Sequence, residues 1–305
     1  MSESFSIQPT PPERHRDGLE LLFSSMNAGE RVAQMATTLA ALGSGRLSLD
    51  GLLEACRGER TVGVAWGSVM GGRAALVWPP QLVAGEEEST AQALFQALDT
   101  WMQANHIQLA NAFLADDQSL DARRLTAANY SRAAEILYLV SDQSSFPDSP
   151  VLTDLQFEPF SEDKQERLAA IVEQTYEGTL DCPSLDGKRD IADVLAGYQE
   201  SGVYAPQRWL LVRHGGDDIG CLLLTDHPAE NQWELIYQGI IPAARGQGFG
   251  LAMTRHAQWL TCDANRSRLV LAVDAENQPA IAAYTTSGFQ QWDRRYVYVK
   301  LISDR

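Results

Sequence analysis

Apolar and polar positions in the second half of the chain change period in an order that describes a sheet and its helices. Residues 165–174 carry Leu168, Ile171 and Val172 at helical spacing, and residues 191–198 repeat that face after an intervening polar stretch, which predicts two amphipathic helices. Apolar runs follow at residues 208–213, 219–225 and 233–241, separated by a Gly215-Gly-Asp-Asp turn and a polar turn at residues 227–232. Short apolar runs bounded by turn residues predict strands. A helical stretch over residues 251–259 comes next, so the pattern is a hairpin meander running into a strand, a loop and a helix.

The first half repeats this order. The stretch Ser287-Gly-Phe-Gln-Gln-Trp-Asp-Arg-Arg-Tyr-Val-Tyr-Val has a counterpart in Ala128-Asn-Tyr-Ser-Arg-Ala-Ala-Glu-Ile-Leu-Tyr-Leu-Val, each reading as a helix end, a turn and a final strand. Working backwards, the helical residues 90–102 correspond to 250–260, and the apolar run 76–83 to 235–242. Self-similarity of this kind marks an internal repeat. The Ser-, Asp- and Pro-rich residues 141–150 read as a linker, and the expected domains are residues 1–145 and 146–305.

Chemistry concentrates at Ile240-Ile-Pro-Ala-Ala-Arg-Gly-Gln-Gly-Phe-Gly, where the last strand of the meander turns into a helix. Backbone N–H groups at a helix start have no intrahelical partner and lie at the positive end of the helix dipole, so they suit a phosphate or pyrophosphate. Glycine at 246, 248 and 250 lets such a group approach the backbone and the helix lie close to its strand. A flexible glycine loop is the alternative. A dinucleotide fingerprint fits poorly because the glycine spacing differs, and a P-loop is excluded because no Gly-Lys-Ser/Thr follows. A second pattern, Asn277-x-x-Ala280-x-x-x-Tyr284-x-x-x-Gly288-Phe289, begins 27 residues after Gly250.

Taken together, Arg245-x-x-Gly248-x-Gly250 and the Asn277–Phe289 pattern resemble the two cofactor segments of the GNAT (GCN5-related) N-acetyltransferase superfamily, over residues 155–300. The resemblance implies acetyl-CoA as acyl donor, with Arg245, Gly246, Gln247, Gly248, Phe249 and Gly250 forming its loop. It also implies that Ile240 and Ile241 offer backbone groups to the pantetheine arm from a splayed strand, and that Asn277 contacts the cofactor. Tyr284 matches the family's general acid near the thioester sulfur, and Glu234 matches the glutamate base of its histone-type members. On the residues alone, Tyr284 also reads as a tyrosine packed on its helix and Glu234 as a solvent-facing strand carboxylate. The fold implied is α/β (α+β): two tandem GNAT folds, each a mixed, mostly antiparallel twisted sheet flanked by helices. That tandem organisation is similar to the mycothiol synthase-like group, but no acceptor residue can be matched, so no mycothiol activity is carried over.

The copies diverge at the loop. The first half has Gly85-Glu-Glu-Glu-Ser-Thr where the second has its glycines, and Leu125 where the second has Tyr284. Carboxylates repel a pyrophosphate, so the first half is expected to be a degenerate copy without acetyl-CoA, by default a scaffold that packs against the other, or else one that also walls one side of the acceptor pocket.

A primary amine acceptor, small molecule or peptide, must be neutral to attack a thioester, and amines of pKa ~8 to ~10.4 are largely protonated at neutral pH, so a base such as Glu234 is useful. Direct attack in a complex holding both reactants needs no Ser-His-Asp or Cys-His constellation. The stretch after the first of the two helices holds Tyr176, Glu177, Asp181 and Asp186, which offer either an aromatic wall and carboxylates for a cationic substrate or a plain polar loop. None of the five histidines claims a part, and His256 is expected at the surface.

A net charge of −16 argues against nucleic acid and either steers a cationic amine or simply solvates the surface. No apolar run is long enough for a membrane, and the polar start lacks a signal segment, which predicts a cytoplasmic protein. Cys56, Cys182, Cys221 and Cys262 lack metal-ligand spacing and are read as free thiols, with no metal expected. Two functions stay open: an N-acetyltransferase, or a non-catalytic acyl-CoA-binding or interaction protein. The acceptor, the acyl length and the oligomeric state are open as well.

Overall fold

A computed structural model describes residues 4–302. The chain forms two compact units, one of Met1–Arg132 with Tyr296–Arg305 and one of Ala133–Arg295.

In the first unit the order is β1 (Ser6–Pro9), α1 (His15–Leu22), α2 (Ala28–Gly43), β2 (Gly51–Arg57), β3 (Arg60–Met70), β4 (Ala74–Leu82), α3 (Glu88–Ala104), β5 (Leu109–Leu114) and α4 (Leu120–Ala127). The second repeats it: β7 (Gln156–Pro159), α5 (Gln165–Tyr176), α6 (Ile191–Gln199), β8 (Trp209–His214), β9 (Asp217–His227), β10 (Gln232–Ile240), α7 (Phe249–Asp263), β11 (Arg268–Asp274) and α8 (Gln278–Thr286). Within each unit the strands pair in the expected mixed, mostly antiparallel way. The parallel contacts are β4 with β5 over Ala74–Leu76 and β10 with β11 over Gln232–Leu235.

The final strands do not follow the halves expected from sequence. β6 (Ser131–Asp142), late in the first half, pairs antiparallel with β11 of the second unit. The end of β12 (Gln290–Leu301) pairs antiparallel with β5 of the first, Tyr296 facing Leu114 and Leu301 facing Leu109. The compact units therefore part at residues 132 and 295 rather than at 145. Apolar alternation predicts that a segment is a strand but carries no information about which neighbour it pairs with.

In the second unit Leu222, Leu224, Trp233, Leu235, Leu269 and Leu271 pack beneath Met253 and Ala257 of α7 and Tyr284 of α8. On the other face Cys221, Leu223 and Tyr237 pack under Leu168, Ile171 and Val172 of α5 and Leu195 of α6. Among the described residues no helix is long and apolar enough to cross a membrane.

Tyr298 on β12 is only 5% exposed and packs into the first unit's core with Leu94, Leu98 and Leu125. Tyr298→Ala should therefore destabilise the first unit by about 3 kcal/mol or more, the usual loss for a buried aromatic truncated to alanine. Urea unfolding, with hydrogen exchange locating the loss in β5 rather than β11, checks this.

Candidate active site

The ladder between β10 and β11 is short. It runs from Gln232↔Arg268 to Leu235↔Leu271, and beyond it β10 pairs only with β9. The β9–β10 register shifts between Leu235 and Tyr237, leaving Ile236 as an extra residue. A one-residue bulge exchanges the faces of every residue after it. Trp233 and Leu235 accordingly face the α7 layer, while Tyr237 turns to α5 and α6. Gln238 points back to α7, where its Nε2 donates to the Gly250 carbonyl at 3.1 Å. The β10 edge from residue 236 to Ile241 thus opens away from β11, and the peptide groups along it are not taken up by a parallel ladder.

At the end of that edge lies the start of α7. Residues 242–244 form a 3-10 turn, Gly246 and Gly248 take φ of 79° and 81°, and Gly248 is the N-cap, with no side-chain cap. The first intrahelical bond runs from Ala252 N–H to the Gly248 carbonyl, so the preceding N–H groups face outward as a site for an anion requires. Gln247 is exposed and Phe249 half-buried against His214, ring centroids 4.8 Å apart. At Gly250 a Cβ would meet Gln238 and Ile240 at 3.7 Å, an ordinary contact. Close helix–strand approach therefore does not require glycine there, whereas the left-handed backbone does at 246 and 248.

Arg245 has a different place from the one expected. Its guanidinium donates to the carbonyls of Ile240 at 3.0 Å, Thr175 at 2.9 Å and Gly178 at 3.3 Å. The side chain thus ties the glycine loop to the C-terminal end of α5, where carbonyls lack intrahelical partners and a cation complements the dipole.

Asn277 caps α8, its Oδ1 accepting from Ala280 N–H at 3.3 Å. Tyr284, one helical stretch further, is buried with its ring 5.7 Å from that of Phe289. Burial first, then the charge of Asp181, pushes its phenol well above its ordinary pKa, so it stays protonated across the physiological range. Asp181 does not simply face solvent as a substrate carboxylate would. Its Oδ1 accepts from Asp274 N–H at 3.1 Å, and Asp274 Oδ2 accepts from Cys182 N–H at 3.0 Å, lacing the loop after α5 to the end of β11. Burial, and then the two carboxylates, push the Cys182 thiol up to about 12, which leaves it a poor nucleophile. Donor atoms of Asp181, Cys182 and Asp274 lie within 4.8 Å of one another, but both carboxylates already accept backbone N–H groups.

On the α5 and α6 face, Tyr176 and Tyr198 share a hydrogen bond of 3.0 Å between hydroxyls, and both rings pack on Tyr237. Tyr176 is thus part of a half-buried aromatic cluster, while Glu177 is exposed at the end of α5. Glu234 lies where β10 still pairs with β11, opposite Val270. Asp274 is four residues beyond Val270 along β11, a backbone rise of about 13 Å at 3.3 Å per residue.

Two residues escape sequence reasoning. His227, in the turn before β10, meets Glu234 Oε2 through Nε2 at 2.7 Å; the signal was its place diagonally across the hairpin, Gln232 being paired with His227. Asp274 carried no signal of its own. His256, expected at the surface, instead stacks on Phe157 with centroids 3.6 Å apart, and burial lowers its pKa to about 4.

In the first unit the corresponding helix start carries carboxylates held by neighbouring arginines. Glu86 pairs with Arg57 at 2.6 Å and accepts from the Thr90 hydroxyl at 2.6 Å, contacts that hold its carboxyl at about 2, and Glu88 pairs with Arg124.

Residues 166–289 match the model of the acetyltransferase (GNAT) family. A mycothiol acetyltransferase of Renibacterium salmoninarum is 28% identical over 209 residues, which are 67% of this chain and 58% of that protein. The chain thus spans less than two thirds of that relative's length. Among solved structures, a GCN5-related N-acetyltransferase from Sphaerobacter thermophilus superposes with a TM-score of 0.60 at 17% identity, covering 98% of this chain and 96% of that one. A tandem GNAT protein from the clavulanic acid biosynthesis pathway superposes at 0.51 and 14%, covering 98% and 99%. The fold is that of tandem GNAT proteins.

Gly248→Ala should lower stability by about 1–2 kcal/mol because alanine is strained at φ 81°. Gly250→Ala, with no positive φ and room for a Cβ, should be neutral or stabilising by up to about 1 kcal/mol. Paired urea titrations distinguish the two.

Proposed function

We propose that this chain, whose residues 166–289 match the acetyltransferase (GNAT) family model, is an N-acetyltransferase that moves an acetyl group from acetyl-CoA to a primary amine by direct attack while both are bound. The observation that carries this is the uncapped glycine start of α7 at the end of the opened β10 edge.

That geometry fits the donor. The outward N–H groups of the first α7 turn suit its pyrophosphate, Gly246 and Gly248 allow the backbone to approach it, and the β10 edge up to the Ile240 N–H suits the pantetheine arm, the Ile240 carbonyl being engaged by Arg245 and the Ile241 N–H and carbonyl by Ile219 and Ala244. Gln247, Phe249, Gly250 and Asn277 complete the wall. When bound, the donor supplies a thioester carbonyl whose C–S bond breaks as the amine nitrogen forms the new C–N bond.

The chain's own residues move the protons. Glu234 takes one from the acceptor amine, and Tyr284, protonated because it is buried, gives one to the departing sulfur. In this reading the Tyr176 cluster and exposed Glu177 line the acceptor side; supporting it, the Asp181–Asp274 lacing holds the loop after α5 beside them. The carboxylates at the α3 start support a first unit without acetyl-CoA.

The test is amine-dependent release of free thiol from acetyl-CoA across a panel of small-molecule and peptide amines. Tyr284→Phe and Glu234→Gln should each lower kcat by about 10²-fold or more while leaving acetyl-CoA affinity within a few-fold. Tight binding with no amine-dependent release would instead support a binding protein.

A further inference from the structure

Glu234 is not an isolated carboxylate. The His227 imidazole donates to its Oε2 from Nε2 at 2.7 Å, and because a carboxylate only accepts, that nitrogen carries the proton. Oε1 has no hydrogen-bond partner among the described residues. The Glu234 side chain keeps 30% of its exposure and that of His227 18%, so the pair is partly sheltered with one oxygen left for a ligand.

The imidazole is held from behind. A Cβ at Gly202 would come within 3.0 Å of its Cε1 and 2.7 Å of the Thr225 hydroxyl, so backbone after α6 closes that side. Val203 N–H donates to the Asp226 carbonyl at 2.9 Å, fastening the same segment to β9. The other charged groups near His227 are Asp226 and Glu230. Asp226 is engaged by Arg266 at 2.7 Å and by Arg208 at 3.6 Å, and Glu230 sits in the turn. Across the face, Glu234 also bears on the Tyr138 phenol of β6. Among the described residues the imidazole's direct hydrogen-bond partner is therefore Glu234.

We propose, resting on the acyltransfer reading above, that His227 is a positioning residue for Glu234: it turns the free carboxylate oxygen toward the acceptor, and its charge sets how readily that oxygen takes the acceptor's proton. With the imidazole neutral, Nε2–H orients the carboxylate with no positive charge beside it. With the imidazole protonated, an adjacent positive charge stabilises the ionised carboxylate and lowers its proton affinity. The Glu234 hydrogen bond holds His227 above its ordinary pKa, so the changeover falls above the reference value of about 6.5. The amine's proton passes to Glu234 Oε1 and no proton leaves Nε2. Base strength then rises as pH climbs through the His227 titration, separately from the later rise as the amine itself deprotonates.

The experiment measures kcat/KM against pH, with acetyl-CoA and the best amine of the panel, for the wild type, His227→Gln and His227→Ala. Imidazole proton NMR on the wild type and Glu234→Gln accompanies it. Wild type should show a rising limb above pH of about 6.5. His227→Gln, which keeps a neutral donor, should lose that limb, and His227→Ala should lower kcat by about 10-fold at every pH, part of what the base itself supplies. Glu234→Gln should shift the His227 titration downward. An unchanged limb in an active His227→Gln enzyme, or a His227 titration indifferent to Glu234→Gln, overturns the inference alone. A wild type that turns over no amine overturns it together with the acyltransfer reading.

Discussion

Everything at the candidate site depends on the parallel ladder between β10 and β11 stopping at Leu235↔Leu271. Had it continued to Ile240, the peptide groups along that edge would be consumed in the sheet, and an extended ligand arm would find no partners. The extra residue Ile236 is what ends it. By exchanging faces it sends Gln238 under α7 to bond Gly250 and Thr254, and Tyr237 into the aromatic cluster beneath α5 and α6. One inserted residue thus lies between the uncapped start of α7, the opened edge leading to it and the aromatic cluster on the opposite face.

Two ties then hold the site's parts in register. Arg245 joins the glycine loop to the end of α5 through three carbonyls, and Asp181 with Asp274 joins the loop after α5 to the end of β11. The glycine loop, the loop after α5 and the end of β11 are therefore mechanically connected by groups whose motif positions suggested ligand contact. A polar residue near a ligand loop often serves its neighbours' unpaired backbone, because an orphaned carbonyl near a helix end has to be satisfied.

Much of this was legible in the sequence for physical reasons. The helices of the second unit start and end within a few residues of their apolar faces, and the glycine loop sits between strand and helix as its spacing requires. Positions that need φ near 80° can be filled by glycine with little strain, so Gly246 and Gly248 announced themselves, whereas Gly250 carried no such constraint. Pairing partners were not legible. β6 and β12 read as the last strands of their own halves, yet β6 joins β11 and the end of β12 joins β5. Alternation fixes which side of a strand is buried, not which edge it joins. The His227–Glu234 contact and the Asp181–Asp274 lacing are long-range or diagonal meetings of polar residues, which leave no periodic trace, and His256 was misplaced because its partner Phe157 is 99 residues away in sequence.

The central claim is that one ligand site, at the start of α7, serves the whole chain. Calorimetric titration of acetyl-CoA into the full-length protein and into Gly248→Glu tests it most directly. The account predicts one site per chain, abolished by a carboxylate placed among the outward N–H groups. No binding by the parent protein, or two sites, or a site indifferent to Gly248→Glu, would contradict it.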